Sequence, residues 1–413
     1  MNKIKIITLY STLFFSSSLL SMVCDNQWIP LFPKPYSRTE EKPSHFYIDA
    51  FFLTADKAYD HRENEKQIPD LYGVYDQEKL GRALQIVGKN NPLPDEFRVG
   101  KILWGIQDKL QGQGVSLAFE HRFFKPLSIG FSWFLARISN RHEFCLKTDE
   151  VGFRIKEDGD LREIKEARLL MHKELGLCEA HSSHVGMSDF DCYLRVGGIW
   201  DYAFKCRTVD AGISFGLIVP SGRKREVESA ASLPFGGNGH WGIFVRGDTE
   251  LELKEDMKFG CMVRVNKRFE KIMDMRLPVD QEHPLYGALV APVSVEPGMN
   301  IVFSPYVSME NLREGLGVRA GLHIVKHGED CFVDVRSNRE RKTVPSKTAE
   351  IRRRSSWGAD YGSFHLFYDF GKMDVEKSYK PVITLSWDVP FLVFASSNIS
   401  KTHRVSLGLE VKF

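Results

Sequence analysis

The last ten residues restrict the fold of this chain more than any other stretch. Val405, Leu407, Leu409, Val411 and Phe413 alternate with Arg404, Ser406, Gly408, Glu410 and Lys412. An extended chain turns successive side chains to opposite sides, so this segment is a β-strand with one wholly apolar face and one polar face. The same rhythm returns along the chain. Val115, Leu117, Phe119 and Phe123 alternate with Ser116, Ala118, Glu120 and Arg122, and after Lys125-Pro126 the series resumes as Leu127, Ile129, Phe131, Trp133 and Leu135, which reads as a hairpin. Trp241 to Leu253, Phe259 to Val265, Ile301 to Met309 and Leu316 to Ile324 repeat it.

Adding 45 to 54, 191 to 203, 206 to 219, 357 to 370 and 379 to 388 gives about 12 strands of roughly 10 to 14 residues, the length a tilted strand needs to cross a bilayer. The connections alternate in length. Long ones (55–114, 138–190, 220–240, 269–298, 327–356) are separated by short ones (125–126, 204–205, 254–256, 310–314, 371–378), and 389–401 is moderate. A soluble Greek-key sandwich gives no reason for such segregation, whereas a spanning barrel carries short turns at one rim and long loops at the other. Hydrocarbon offers backbone N–H and C=O groups no partner, so a sheet in it must close on itself. The expected fold is therefore all-β: a transmembrane antiparallel up-and-down β-barrel of about 12 strands. A pair at Phe97 to Gly105 and Ala83 to Val87 would raise the count to about 14. Residues 160–178 read as an amphipathic helix on an external loop.

The other end of the chain is consistent with export. Lys3 and Lys5 precede an apolar run from Ile6 to Leu20 that closes on small residues, the layout of a signal peptide over 1–21. Cys24 leaves lipid modification as an alternative. Residues 22–44 are then expected as a periplasmic amino-terminal segment and 45–413 as the barrel with its loops. Downstream of the leader no run of about 18 apolar residues occurs, so no membrane helix is expected. With 27% charged residues and a formal net charge of +2, no single-sign field marks a nucleic-acid or acidic partner. The low mean hydropathy of -0.26 is what lipid-facing residues give when diluted by alternating polar ones.

By this pattern the chain resembles bacterial outer-membrane β-barrel proteins, whose last strand ends in an aromatic residue read by the barrel-assembly machinery. Val405, Leu407, Leu409, Val411 and Phe413 fit that assembly signal. A looser similarity to hydrocarbon and fatty-acid transporter barrels lies in Val219-Pro220-Ser221-Gly222 and the loop from Pro234 to Gly239. The resemblance implies outer-membrane lipids, the assembly machinery and a small-molecule solute as partners, and the cell outer membrane as the location.

If the apolar series faces lipid, Asp49, Glu120, Arg122, Arg195, Asp201, Arg246, Asp248, Glu250, Arg264, Arg319, His323 and Glu410 point into the lumen. Both signs are present, which suits a web of salt bridges as well as a water-filled pore and argues against a strongly selective ion channel. Trp104, Trp133, Trp200, Trp241, Trp357 and Trp387 fall near strand ends, where interfacial girdles sit. Other motifs weigh less. Gly212-Ile213-Ser214-Phe215-Gly216 matches G-x-S-x-G, but no helix follows to lift Ser214, so a small lumen residue is the default and no enzyme is expected. His172, Cys178, His181, His184 and Cys192 have the density of a zinc site without a standard spacing, and no metal or cofactor is assigned. Cys145 and Cys178 share one external loop and form a candidate disulfide. Arg246-Gly247-Asp248 would lie inside the barrel, out of reach of an adhesion receptor. The expected function is passive passage of small solutes; the alternatives are a non-conducting barrel with binding loops and, behind it, a membrane-embedded hydrolase.

Deleting Phe413 is expected to lower the yield of folded barrel, read as loss of the heat-modifiable band on semi-native gels. Full recovery of that band would remove the assembly role given to the terminal aromatic.

Overall fold

In the computed structural model, which describes residues 26–29, 31, 38, 42–98, 100–147, 158–177, 180–254, 256–372 and 380–413, the alternating segments become the wall of a closed barrel. Its twelve strands are β1 (Ser44–Ala55), β2 (Leu103–Phe124), β3 (Leu127–Leu146), β4 (Phe190–Asp201), β5 (Thr208–Val219), β6 (Gly242–Lys254), β7 (Met257–Arg268), β8 (Asn300–Arg313), β9 (Leu316–His327), β10 (Trp357–Asp369), β11 (Lys380–Phe391) and β12 (His403–Lys412). Each pairs antiparallel with its neighbours in chain order, and β1 closes the ring on β12, with Tyr47 opposite Glu410 and Phe51 opposite Ser406. Phe413 continues the seam: its N–H donates to the Ser44 carbonyl at 3.1 Å, and the Ser44 N–H donates back at 3.0 Å. Twelve residues at about 3.3 Å rise and about 45° tilt cover roughly 28 Å, the thickness of a hydrocarbon layer.

Which residues face which way decides what medium the wall meets. Phe215 is 59% exposed, Leu407 58% and Leu385 51%, whereas Asp49, Ser116 and Ser214 are fully buried. Apolar side chains outside and polar ones inside is the reverse of a water-soluble core, and a continuous apolar belt of this extent is stable only against lipid. No helix among the described residues is long and apolar enough to cross a membrane. Val405, Leu407 and Leu409 all belong to this outer belt, and Phe413 is exposed at its edge.

Two corrections concern the region above the rim on the long-loop side. β2 and β3 are 22 and 20 residues long, so the first loop ends at 102 rather than 114 and the second starts at 147 rather than 138. Beyond the membrane belt the two strands keep their inward positions but exchange chemistry. Trp104, Ile106 and Leu110 point inward and are buried, while Gln107, Lys109 and Gln111 are exposed outside. The pattern therefore inverts where lipid gives way to water, and a reading that follows an outward apolar series stops there. The supposed extra strand pair is not formed: Gln77–Ile86 is a helix (α1), capped by the Asp76 side chain on the Glu78 N–H at 3.2 Å, and Asp95–Phe97 is a single 3-10 turn. Two short strands do lengthen the sheet, at Tyr75–Asp76 and His181–Met187. The expected loop helix is present as α2 (Asp158–Glu174).

The remaining loops build a cap. Lys271–Leu277, Leu289–Glu296 and Cys331–Asp334 form a three-stranded sheet over the barrel mouth. Under α1 and α2, Trp104, Tyr75, Leu84, Ile164, Met171 and Tyr286 share one apolar cluster. At the opposite rim the turns are tight. Between β8 and β9, Glu314 and Gly315 both have positive φ (43° and 91°), the conformation a two-residue hairpin requires.

Inside the wall, bulky rings lie over glycines of adjacent strands: Tyr306 over Gly260, Phe244 over Gly216, Tyr193 over Gly130 and Phe367 over Gly317. A Cβ at any of these glycines would overlap the ring, so each pair fixes the register between its strands. Replacing Gly260 by Val is expected to destabilise the barrel by about 1–3 kcal/mol through overpacking. The check is the urea midpoint of the heat-modifiable form in detergent, which should move down relative to the parent chain.

Candidate functional site

The lumen holds a ring of charge to which the amino-terminal segment contributes. Arg195 on β4 donates to Asp210 on β5 at 2.7 Å and to Asp248 on β6 at 2.7 Å. Arg246 on β6 lies 3.7 Å from Asp248 and 4.2 Å above the Tyr193 ring. Glu120 on β2 accepts from the Tyr193 hydroxyl at 3.0 Å. Those side chains alone are two cations against three anions. The balance comes from Arg38, which donates to Glu120 at 2.6 and 3.0 Å, to Asp210 at 3.1 Å and to Asp248 at 3.0 Å. Three guanidiniums then face three carboxylates, and each is paired, as burial requires.

Arg38 belongs to residues 22–44, expected from sequence as a periplasmic amino-terminal segment. The described part of that segment is inside the molecule. Asn26 donates to the Pro234 carbonyl at 2.6 Å, Gln27 to the Tyr72 hydroxyl at 2.8 Å, and the Ser400 and Thr402 hydroxyls donate to the carbonyls of Gln27 (2.8 Å) and Trp28 (3.1 Å). All of those partners are at the long-loop end. Trp28, Ile29 and Leu31 are buried against Phe51, Leu53, Phe134 and Ile138. The described residues thus put Asn26 to Ile29 and Leu31 at the loop end, Arg38 among the lumen carboxylates and Ser44 at the turn end. The segment carries no period-2 pattern, so alternation could not reveal this role. The expected leader at 1–21 and Cys24 lie outside the described residues.

The other lumen residues named from sequence are found as follows. Asp49 accepts from the Tyr47 hydroxyl at 3.1 Å and the Ser116 hydroxyl at 3.4 Å. Glu250 accepts from the Tyr306 hydroxyl at 2.6 Å and lies 3.6 Å from Lys258. Arg264 pairs with Asp191 at 2.6 Å and covers the Phe244 ring at 3.7 Å. Arg319 lies between the Tyr306 and Phe367 rings. His323 bridges the Ser304 and Ser363 hydroxyls at 2.8 and 3.1 Å. Glu410 is 3.6 Å from His45 and from Lys412 at the seam. Arg122 is half-buried in a cavity of about 270 Å³ at the turn end, where Arg38, Lys42, Lys125 and Trp200 also line the wall. Asp201 is a correction: it ends β4 and is exposed, because the strand runs out at the rim before its side chain can reach the lumen. Asp210 and the buried Asp388–Arg404 pair were not singled out from sequence, although the same alternation places them inside.

Three further readings are resolved by the structure, and a fourth lies outside the described residues. The candidate zinc residues are dispersed: His172 is buried in the cap, His181 meets Ser139, His184 meets Glu226, and Cys192 is on the barrel wall. Among the described residues no three metal-ligating side chains come together. Cys178 lies outside the described residues, as does the pairing proposed for it; Cys145 is exposed. Ser214 accepts from Arg246 at 3.1 Å in an uninterrupted strand. Trp200, Trp241 and Trp387 are half-exposed, but Trp104, Trp133 and Trp357 are buried, Trp104 in the apolar cluster under the cap helices and Trp357 against Val302, Val325 and Tyr361.

The Gly222 and Pro234 to Gly239 loop has a structural explanation. The Asp189 carboxylate accepts from the Gly222 N–H at 3.0 Å and the Gly237 N–H at 2.7 Å and pairs with Arg268 at 2.8 Å, so the loop folds inward around one anion. Behind it, a second cavity of about 220 Å³ opens at the loop end between the amino-terminal segment and the cap. Two histidines are buried within the cap. Burial pushes His172 down to about 3 and His283 down to about 4, while His172 meets the Tyr75 hydroxyl at 2.9 Å and His283 donates to the Pro69 carbonyl at 3.0 Å.

A closed twelve-stranded up-and-down wall, apolar outside and charged inside, defines the class of bacterial outer-membrane β-barrels. No protein-family model and no curated protein matches the sequence. Among solved structures the chain is similar to the COG4313 outer membrane channel from Pseudomonas putida F1, with TM-score 0.52 and 11% identity over 93% of this chain and 100% of that one. More distant are the Pseudomonas putida toluene transporter TodX (TM-score 0.32, 9% identity, 90% and 89% covered) and the translocator domain of the autotransporter NalP from Neisseria meningitidis (TM-score 0.35, 9% identity, 90% and 88% covered).

Replacing Arg38 by Met leaves Glu120, Asp210 and Asp248 facing two cations, a change expected to weaken the seat of the amino-terminal segment by roughly 3–5 kcal/mol. Limited digestion of the folded barrel with proteinase K, followed by mass spectrometry, should show the segment trimmed faster than in the parent chain. Equal trimming rates would mean that Arg38 does not hold it.

Proposed function

We propose that this chain is an outer-membrane channel for small solutes, closed in its resting form by its own amino-terminal segment. The observation that carries the reading is the position of Arg38: it sits between a cavity at the loop end and another at the turn end and closes the charge balance of the lumen between them. A lumen filled by wall side chains alone would make a rigid plug of the barrel. Here part of the filling is a segment that runs into the wall at Ser44 and is otherwise held by the Arg38 ion pairs, an apolar seat and hydrogen bonds, so it can leave without unfolding the sheet. The shared fold with an outer-membrane channel supports the class of function. On this reading the leader at 1–21 directs export, the strand from Val405 to Phe413 is recognised during insertion, and the belt of Phe215, Leu385 and Leu407 contacts the lipids.

The loop-end cavity indicates what kind of solute enters. Trp28, Tyr72, Met273, Met275, Phe332 and Trp357 line it, rings and thioethers that suit an apolar body. Planar-bilayer recordings are the test. The parent protein should show rare, brief openings, and Arg38→Met should raise the open time at least tenfold. Silent traces from both proteins, with no uptake of small aromatic solutes into proteoliposomes, would remove the channel reading and leave a barrel that acts through its external loops.

A further inference from the structure

The loop-end cavity carries positive charge that no carboxylate among the described residues pairs with. Four cationic side chains line it or border it, and two are fully engaged. Arg268 pairs with Asp189 at 2.8 Å and donates to the His240 carbonyl at 2.7 Å. Arg276, in the adjoining wall, donates to the carbonyls of Val227, Gly287 and Leu175 at 2.6 to 3.2 Å. Arg225 and Arg354 differ from these. Arg225 reaches only the Ala230 carbonyl, at 3.4 Å, and Arg354 only the Leu71 carbonyl, at 3.4 Å; neither forms an ion pair among the described residues. The one carboxylate in the described lining, Asp330, is occupied by His327 at 2.8 Å and by the Gly298 N–H at 2.8 Å.

The two guanidiniums approach one turn. Arg354 lies against Gly73, where a Cβ would come within 2.7 Å of its Nη1, and Arg225 acts on the neighbouring Tyr72 hydroxyl. Burial lowers the proton affinity of both arginines from the ordinary value, with Glu350 acting in the opposite sense on Arg354. Guanidinium does not deprotonate at any ordinary pH, so the positive charge stays. Two half-buried cations that line one cavity with six apolar or aromatic side chains are complementary to a molecule with one anionic end and one apolar body. At about 220 Å³ the space is below the ~300–1,000 Å³ of pockets that take drug-sized ligands, which limits that body to one ring or a short chain.

We propose that this vestibule binds a small organic carboxylate, with its carboxylate held by Arg225 and Arg354 and its apolar part against Trp28, Tyr72 and Met273. The proposal rests on the reading of the lumen as a solute path and names the chemistry of the solute. Because Trp28 belongs to the amino-terminal segment, the bound molecule touches the gate itself. Planar carboxylates suit guanidinium donors, and a neutral analogue would leave both charges as they are.

The test titrates the purified full-length protein in detergent with sodium benzoate and, separately, with benzyl alcohol, its uncharged counterpart, by calorimetry and tryptophan fluorescence. Benzoate is expected to bind saturably and at least tenfold more tightly than benzyl alcohol. Arg225→Gln and Arg354→Gln should each lose at least tenfold in benzoate affinity while leaving benzyl alcohol unchanged, and the exposed Arg352→Gln should behave as the parent. Benzoate binding no tighter than benzyl alcohol in the parent protein overturns the proposal, and that comparison needs no variant to fold. Solute flux in bilayers together with that result would sink the carboxylate site alone. Tight benzoate binding in a barrel that passes nothing would keep the site and sink the channel.

Discussion

Everything in this molecule follows from the absence of hydrogen-bond partners in hydrocarbon. A backbone that enters lipid must satisfy itself, and twelve strands do so by closing β1 on β12. Closure has a second consequence, because it creates an interior that lipid cannot reach and that must be filled or left to water. In this chain the interior is filled with charge. Buried ions are tolerable only when paired, so the wall strands place Arg195 and Arg246 against Asp210 and Asp248. Within that ring the wall strands supply three carboxylates and two guanidiniums, and Arg38 supplies the third cation from a segment outside the sheet.

That arrangement separates the stability of the barrel from the state of its lumen. The sheet is held by ladder hydrogen bonds and by rings seated on glycines such as Gly216 and Gly260, none of which involve residues before Ser44. The amino-terminal segment is held by other means: ion pairs at Arg38, an apolar seat for Trp28, Ile29 and Leu31, and hydrogen bonds to Tyr72, Pro234, Ser400 and Thr402. A device that must open without loss of the membrane-spanning structure needs such a division. Strand edges cannot part in lipid, but ion pairs in a wet lumen can exchange with water.

The cap follows different rules because it sits in water. Above the rim β2 and β3 turn Trp104, Ile106 and Ile138 inward and Gln107, Lys109 and Arg137 outward, as any soluble sheet would. One strand thus carries two opposite polarities in its two halves. The loop-end vestibule lies where these regimes meet, which is why it combines aromatic rings with cations such as Arg225 and Arg354, neither of which forms an ion pair among the described residues.

From the amino acids alone came the strand count, the antiparallel meander, the separation of long loops from short turns and the inward placement of Asp49, Glu120, Arg195, Arg246, Asp248 and Arg264. All of these are consequences of a two-residue period, which is a local property written into neighbouring positions. Where the period changed its chemistry, at Trp104 to Leu110, the strand was misjudged as loop, and where it ran out, at Asp201, a residue was placed inside that is not. Only the tertiary structure decided that Arg38 joins the ring of lumen charge, that Asp189 folds the Pro234 to Gly239 loop inward and that Arg225 and Arg354 line one cavity with Tyr72. Those relations join residues up to some three hundred positions apart, and no local pattern can encode a contact whose partners are brought together by closure of the sheet.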